Sequence, residues 1–243
     1  MPFTAAHPAL VLPFLKSKSR FVSATGLVIG SMAPDFEYFM KMRVSSQHSH
    51  TLLGLLYFNL PASVLIALVF HLFIKKNLID NLPLFLQSRF QDVRHFDFIS
   101  QFKTSYVAFL LSATIGSATH LLWDSFTHNG AYFVRTLPIY HHWYLPLGGV
   151  NYPLFFVLQQ VSSVVGVCLV GLYIIFKERQ PVRAAKPIGW KYWLSIVLIS
   201  SLVISLRFAL ATKPLRLGNV VVSTVTALCC GVMVGALLRP KPT

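Results

Sequence analysis

Residues 104–126 read TSYVAFLLSATIGSATHLLWDSF, a run with one imidazole, one carboxylate and no lysine or arginine. A strand is far shorter than this, whereas a helix needs about 20 residues, at about 1.5 Å each, to cross the hydrocarbon of a bilayer. Inside the run His120 and Asp124 stand four apart, and His128 follows at the same interval just beyond it. Residues four apart share a helix face about 6 Å from one another along the axis. The stretch therefore predicts a membrane helix that is apolar except for a single stripe of imidazole and carboxylate.

Working outward, segments 52–73, 153–176, 190–211 and 218–238 have the same length and apolar character. The first 40 residues differ. A shorter apolar stretch at 3–15, a basic turn at Lys16, Lys18 and Arg20, and a second stretch at 21–34 predict an N-terminal helical hairpin over 1–40. Its charge follows the apolar stretch, the reverse of the order in a signal peptide. The chain as a whole is 55% hydrophobic and 12% charged, with a mean hydropathy of +0.63. Soluble domains carry about 25% charged residues. The expectation is an all-α integral membrane helical bundle, residues 1–243 forming one membrane domain with two sizeable loops at 74–103 and 127–152.

A net charge of +14 raises the question of a nucleic-acid partner. Its distribution answers otherwise. The segments 16–20, 74–103, 177–191 and 239–243 hold fifteen lysines and arginines, against five in 35–51, 127–152 and 212–217. Arg207 lies inside a span near its end, where it can snorkel. The positive-inside rule puts loops 74–103 and 177–191 and the C-terminus in the cytoplasm and loop 127–152 outside. The charge then reports topology in the cytoplasmic (inner) membrane and attraction to anionic lipids. Membrane lipids are the expected partners, and nucleic acid is not. Cys168, Cys229 and Cys230 fall within spans and form neither a disulfide framework nor a CxxC metal pattern.

On this topology His48, His50, His128, His141 and His142 lie at or beyond the outer helix ends, His120 lies about two turns inside, and the hairpin returns His7 to the same side, near Asp35. His71 and His95 fall on the cytoplasmic side. An ionisable residue at the centre of a span costs roughly 2.5–3.5 kcal/mol on insertion scales, so Asp124 requires compensation. Imidazole and carboxylate at this spacing can ligate one divalent ion or bridge two. The same pair can instead hydrogen-bond and lock two helices together. His7, Asp35 and His50 add to the metal reading, whereas Asp35 alone reads as an N-cap for the 36–40 run. Glu37 is a candidate base. His141 and His142, between Tyr140 and Trp143, suit an interfacial aromatic belt.

These residues also carry a resemblance. Met1-Pro-Phe-Thr4 with His7, Gly30-Ser-Met-Ala-Pro-Asp35-Phe, Ser49-His50-Thr-Leu-Leu-Gly54 and Thr119-His120-Leu-Leu-Trp-Asp124-Ser-Phe-Thr-His128 follow in that order. The chain, to about residue 170, resembles an uncharacterised bacterial membrane-protein family that begins Met-Pro-Phe-Thr. More distantly it is similar to membrane-bound metal-dependent hydrolases and to helical zinc-dependent phospholipases C. The second likeness implies ligands at His120 and Asp124, with His7, Asp35 and His50 matching the upstream ligands. It lacks the free N-terminal tryptophan ligand and the last His-x-x-x-Glu pair of the phospholipases, for which His128, His141 or His142 could substitute. Gln160 stands where a histidine would be expected.

The expected function is a membrane-embedded metal-dependent hydrolase, with zinc as the divalent ion, acting on a phosphoester or lipid headgroup at the outer face. His7, Asp35, His50, His120, Asp124 and His128 are the expected metal residues, and Arg135 is a candidate phosphate contact. A non-catalytic transporter or scaffold is the alternative, with Pro61 and the glycines at 26–30 as hints of a broken helix.

Overall fold

A bilayer offers backbone N–H and C=O groups no partner, so apolar segments that enter it close their hydrogen bonds internally as helices. The computed structural model describes residues 3–17, 19–182, 189–211 and 216–237. Five of its helices are long and apolar enough to cross a membrane. Lys18, Arg183, Lys186, Lys213, Arg239 and Lys241, which enter the charge asymmetry, lie outside the described residues, as do Met1, Pro2 and the last position of the expected 218–238 span.

The chain opens with a 3₁₀ helix, Thr4–Phe14. Then come α1 (Ala24–Met32), a 3₁₀ turn at Ala33–Asp35 and α2 (Phe36–Lys41). The first long helix, α3 (Leu55–Asp80), contains two π-helical stretches, Leu55–Asn59 and Phe70–Ile74. Short helices α4 (Leu84–Gln87) and α5 (Gln91–His95) lead to α6 (Phe98–Thr127), which kinks at Ser105. After α6 come α7 (Tyr132–Thr136), α8 (Ile139–His142) and an antiparallel pair, β1 (Tyr144–Leu147) and β2 (Val150–Pro153). Gly148 and Gly149 connect the strands with φ of 59° and 79°, the left-handed values a two-residue hairpin turn requires. Three long helices complete the chain, α9 (Leu154–Phe176), α10 (Trp190–Ala209) and α11 (Leu217–Leu237). All five expected spans are helices, with α3 extending to Asp80. The region expected as loop 74–103 is largely helical, and 127–152 is organised as two short helices and a hairpin.

The chain divides into two compact units. The first comprises Met1–Asp35, Gln47–Ser63 and Phe102–Phe176. Here α1 meets α6 backbone against backbone. Gly26 and Gly30 lie four apart on one face of α1, and a Cβ at Gly30 would come within 2.2 Å of the Ala113 carbonyl oxygen. From the other side, a Cβ at Gly116 would lie 2.4 Å from the Leu27 carbonyl oxygen. Small residues at this spacing let membrane helices approach closely. The glycines that hinted at a broken helix are thus a packing seam. Ser117 Oγ donates to the Gly30 carbonyl at 2.9 Å, and Ser112 Oγ accepts from the Ser23 amide at 2.8 Å.

The 3₁₀ helix lies against α1 and α9. It contains Pro8 and Pro13, which lack the amide protons an α-helix interior would use. It buries Ala6, His7, Pro8 and Val11, and the Phe3 amide donates to Ser163 Oγ on α9 at 2.9 Å.

The second unit comprises Phe36–Ser46, Val64–Gln101 and Lys177–Thr243. Helices α10 and α11 pack along their length, with Ser200 Oγ donating to the Ala227 carbonyl at 3.0 Å. Asn77 on α3 donates to the Ala236 carbonyl at 2.7 Å, and Thr226 on α11 to the Phe39 carbonyl at 2.9 Å. Arg94 is bidentate to Asp80, and Lys177 pairs with Asp92.

Candidate metal centre

The stripe read from the sequence lies on α6, and the seam with α1 decides what it meets. With Gly30 against Ala113, the C-terminal turn of α1 runs beside His120. The Ser31 carbonyl accepts from His120 Nδ1 at 2.7 Å. That bond places the proton on Nδ1 and leaves the Nε2 lone pair directed away from the seam, the tautomer control found at metal-ligating histidines. The chain then turns through Ala33–Asp35 and delivers Asp35 to the same point. Asp35 Oδ2 accepts from the Thr4 hydroxyl, and Oδ1 faces the imidazoles. Its side chain is therefore turned inward and does not serve as the N-cap that the sequence suggested.

His50 arrives from the segment before α3. Asn59, in the first π-helical stretch, donates to the Ser49 carbonyl at 2.9 Å. Ser49 Oγ lies 2.9 Å from His50 Nδ1, which leaves Nε2 towards the carboxylates. His7 comes from the buried face of the 3₁₀ helix, its ring stacked on that of His120 with centroids 3.6 Å apart.

The resulting geometry is specific. His50 Nε2 and His120 Nε2 each lie 3.4 Å from Asp124 Oδ2. The same two nitrogens lie 3.7 and 3.6 Å from Asp35 Oδ1. Asp124 Oδ1 lies 3.7 Å from His7 Nε2 and 3.5 Å from His128 Nδ1. These separations exceed the 2.7–3.2 Å usual for an N–H···O hydrogen bond. Four of the six fall within the about 3.3–3.6 Å expected between donors that each sit about 2.0–2.2 Å from one tetrahedral ion, and the two 3.7 Å contacts lie just beyond it. His7, Asp35 and His120 form one trio of converging donors, and His50, His120 and Asp124 form another.

Electrostatics point the same way. Asp35 is fully buried, and Asp124 is 7% exposed. Among the described residues neither forms an ion pair with lysine or arginine. Nor do His120 Nε2, both His7 nitrogens, Asp35 Oδ1 or either Asp124 oxygen have a hydrogen-bond partner there. Two buried carboxylates with no lysine or arginine partner are costly, and a divalent cation would carry the charge that balances them. These buried His/Asp groups could hold a metal ion.

Other expected residues stand differently. His128 is next to the centre, but its Nδ1 also contacts the Asp124 carbonyl at 3.1 Å, and it belongs to neither converging trio. Glu37 lies in the second unit and pairs with Lys41 at 2.5 Å, an (i, i+4) contact on α2. His48 is exposed and bonds Tyr57 Oη at 3.0 Å. His141, His142 and Arg135 are exposed, the Arg135 carbonyl accepting from His141 Nε2 at 3.2 Å. Three positioning residues escape a reading of the sequence: Thr4, Ser49 and Asn59. Asn59 left a trace, as a lone amide within an apolar run that needs a buried partner.

The family model described as Domain of unknown function (DUF4184) matches residues 1–237. No curated protein and no solved structure matches the chain.

Proposed function

The chain belongs to the family described as Domain of unknown function (DUF4184), and from that starting point we propose that it is a membrane-embedded, metal-dependent hydrolase of the bacterial inner membrane. The observation that carries this reading is the convergence of His50, His120 and Asp124, with Asp35 Oδ1 within 3.7 Å of both imidazoles and Asp124 offering its second oxygen towards His7. Two imidazoles and two carboxylates suit zinc among the common divalent ions. When bound, such a cation supplies Lewis acidity, drawing the pKa of a water towards 7 and balancing charge that develops on a substrate oxygen.

The chain's own residues do the remaining work. Ser31 and Thr4 hold His120 and Asp35 in their ligating orientations. His7 is a further ligand, beside Asp124 Oδ1. His128, whose Nε2 is buried and has no partner among the described residues, can hold and return a proton next to the centre. Glu37, committed to Lys41, is set aside as a base. The substrate class is a phosphoester such as a lipid headgroup, reached from the outer face, and membrane lipids are the surrounding partners. A scaffold reading uses the same His–Asp contacts to hold helices together, but it requires no ion.

The test is elemental analysis of the protein purified in detergent, with hydrolysis of a chromogenic phosphodiester measured before and after chelation. Stoichiometric zinc, and activity that falls on chelation and returns on adding zinc, is the expected result. A pure, folded protein with no divalent metal would overturn the proposal in favour of the scaffold.

A further inference from the structure

The second unit, taken by itself, holds a cavity of about 400 Å³ whose lining includes His71, Lys75, Lys76, Arg94, His95 and Asp97. We infer that this cavity binds a phosphate-bearing anion. The inference rests on Lys75 and is independent of the metal centre. Lys75 is 3% exposed and begins the α-helical end of α3, directly after the π-helical stretch Phe70–Ile74. Its ammonium carries three N–H donors. One is taken by the Phe96 carbonyl, and among the described residues no other hydrogen-bond acceptor meets it. A buried ammonium with donors to spare and no bonded carboxylate is costly to keep charged, and an anion in the cavity removes that cost.

The neighbouring groups offset it only in part, Asp97 attracting the ammonium through space without bonding it and Lys76 repelling it. Arg94 is committed to Asp80, at 2.5 and 3.1 Å. Asp97, the one carboxylate in the lining, caps α6 by accepting from the Ser100 amide at 3.1 Å. His71 stacks on Phe98, with ring centroids 4.5 Å apart and planes 8° apart. Lys76 and His95 are exposed at the margin and add donors within reach of an entering ligand. A tetrahedral oxyanion offers several acceptor oxygens at once, which suits convergent donors from different elements. Basic pockets at the ends of membrane helices take phosphate headgroups by this chemistry. A lipid phosphate and free phosphate present the same group, so the experiment must separate them.

The full chain is placed in phosphatidylcholine nanodiscs. Inorganic phosphate in solution, or phosphatidic acid in the bilayer, is titrated while thermal stability and retained lipid are followed, the latter by native mass spectrometry. Lys75→Met keeps the stem and removes the ammonium, and Lys76→Ala/His95→Gln alters only exposed positions should Lys75→Met fail to fold. Lys103→Ala removes an exposed charge from outside the lining and controls for general attraction to an anionic surface. The expected result is a stabilising ligand whose affinity falls about ten-fold in the first two variants and is unchanged in the third. A response to phosphatidic acid alone assigns the site to a lipid headgroup, and a response to both probes assigns it to phosphate itself. No response to either, or equal loss in all three variants, would overturn the inference.

Discussion

Asp124 divides its oxygens, Oδ2 towards His50 and His120 and Oδ1 towards His7 and His128. Asp124→Asn preserves size and removes the charge. As a ligand variant it is expected to abolish stoichiometric metal while the melting temperature of the metal-free protein holds or rises, because removing a charge within a span relieves an insertion cost. Loss of stability with no metal to lose would instead mark Asp124 as a helix fastener. Thr4→Val is the gentler test. It keeps shape, frees Asp35 Oδ2, and is expected to weaken metal binding by about 10–100-fold, the usual effect of removing a residue that orients a ligand. An unchanged affinity in a competition titration would deny Thr4 that role. His120 and Asp124 were legible beforehand because a helix converts an interval of four into a shared face. Thr4, Ser49 and Asn59 were not, since each acts through one short contact whose partner is set by tertiary packing.

At the scale of elements, the α1–α6 seam sets the angle at which the ligands meet. Gly30→Ala would drive a methyl group into the Ala113 backbone, where a Cβ would lie 2.2 Å from the carbonyl oxygen. Backbone cannot swing aside as a flexible side chain can, so a destabilisation of about 1–3 kcal/mol is expected. Unfolding in detergent measures it, and metal content should fall in parallel as His120 and Asp35 separate. Full stability and full metal in Gly30→Ala would remove the seam from the account. The spans were readable from length and polarity alone. The 3₁₀ form of Thr4–Phe14 and the π-helical stretches of α3 were not, because they depend on prolines and buried polar contacts that a count of apolar residues does not weigh. The glycines at 26–30 were visible but ambiguous, since the same spacing serves a broken helix and a close crossing until the facing helix is known.

For the whole molecule, the fifteen-to-five division of lysine and arginine sets the expected orientation. A reporter fused after Ala131 should read as external and one at the C-terminus as cytoplasmic. The opposite pattern would move the proposed chemistry to the cytoplasmic leaflet. The enclosure of the centre has a further consequence, for time and not for affinity. His120 and Asp35 are fully buried and His7 is 3% exposed, whereas the His50 and His128 side chains are 17% and 28% exposed. A chelator could therefore meet an ion held there only past His50 and His128, the route a substrate must also use, and could wrap it only when the first unit opens. Release then waits on opening, and its rate should be independent of chelator concentration once capture is fast. Zinc-loaded protein placed in excess EDTA is expected to lose its ion at a plateau rate, and Gly30→Ala, by loosening the seam, should raise that plateau.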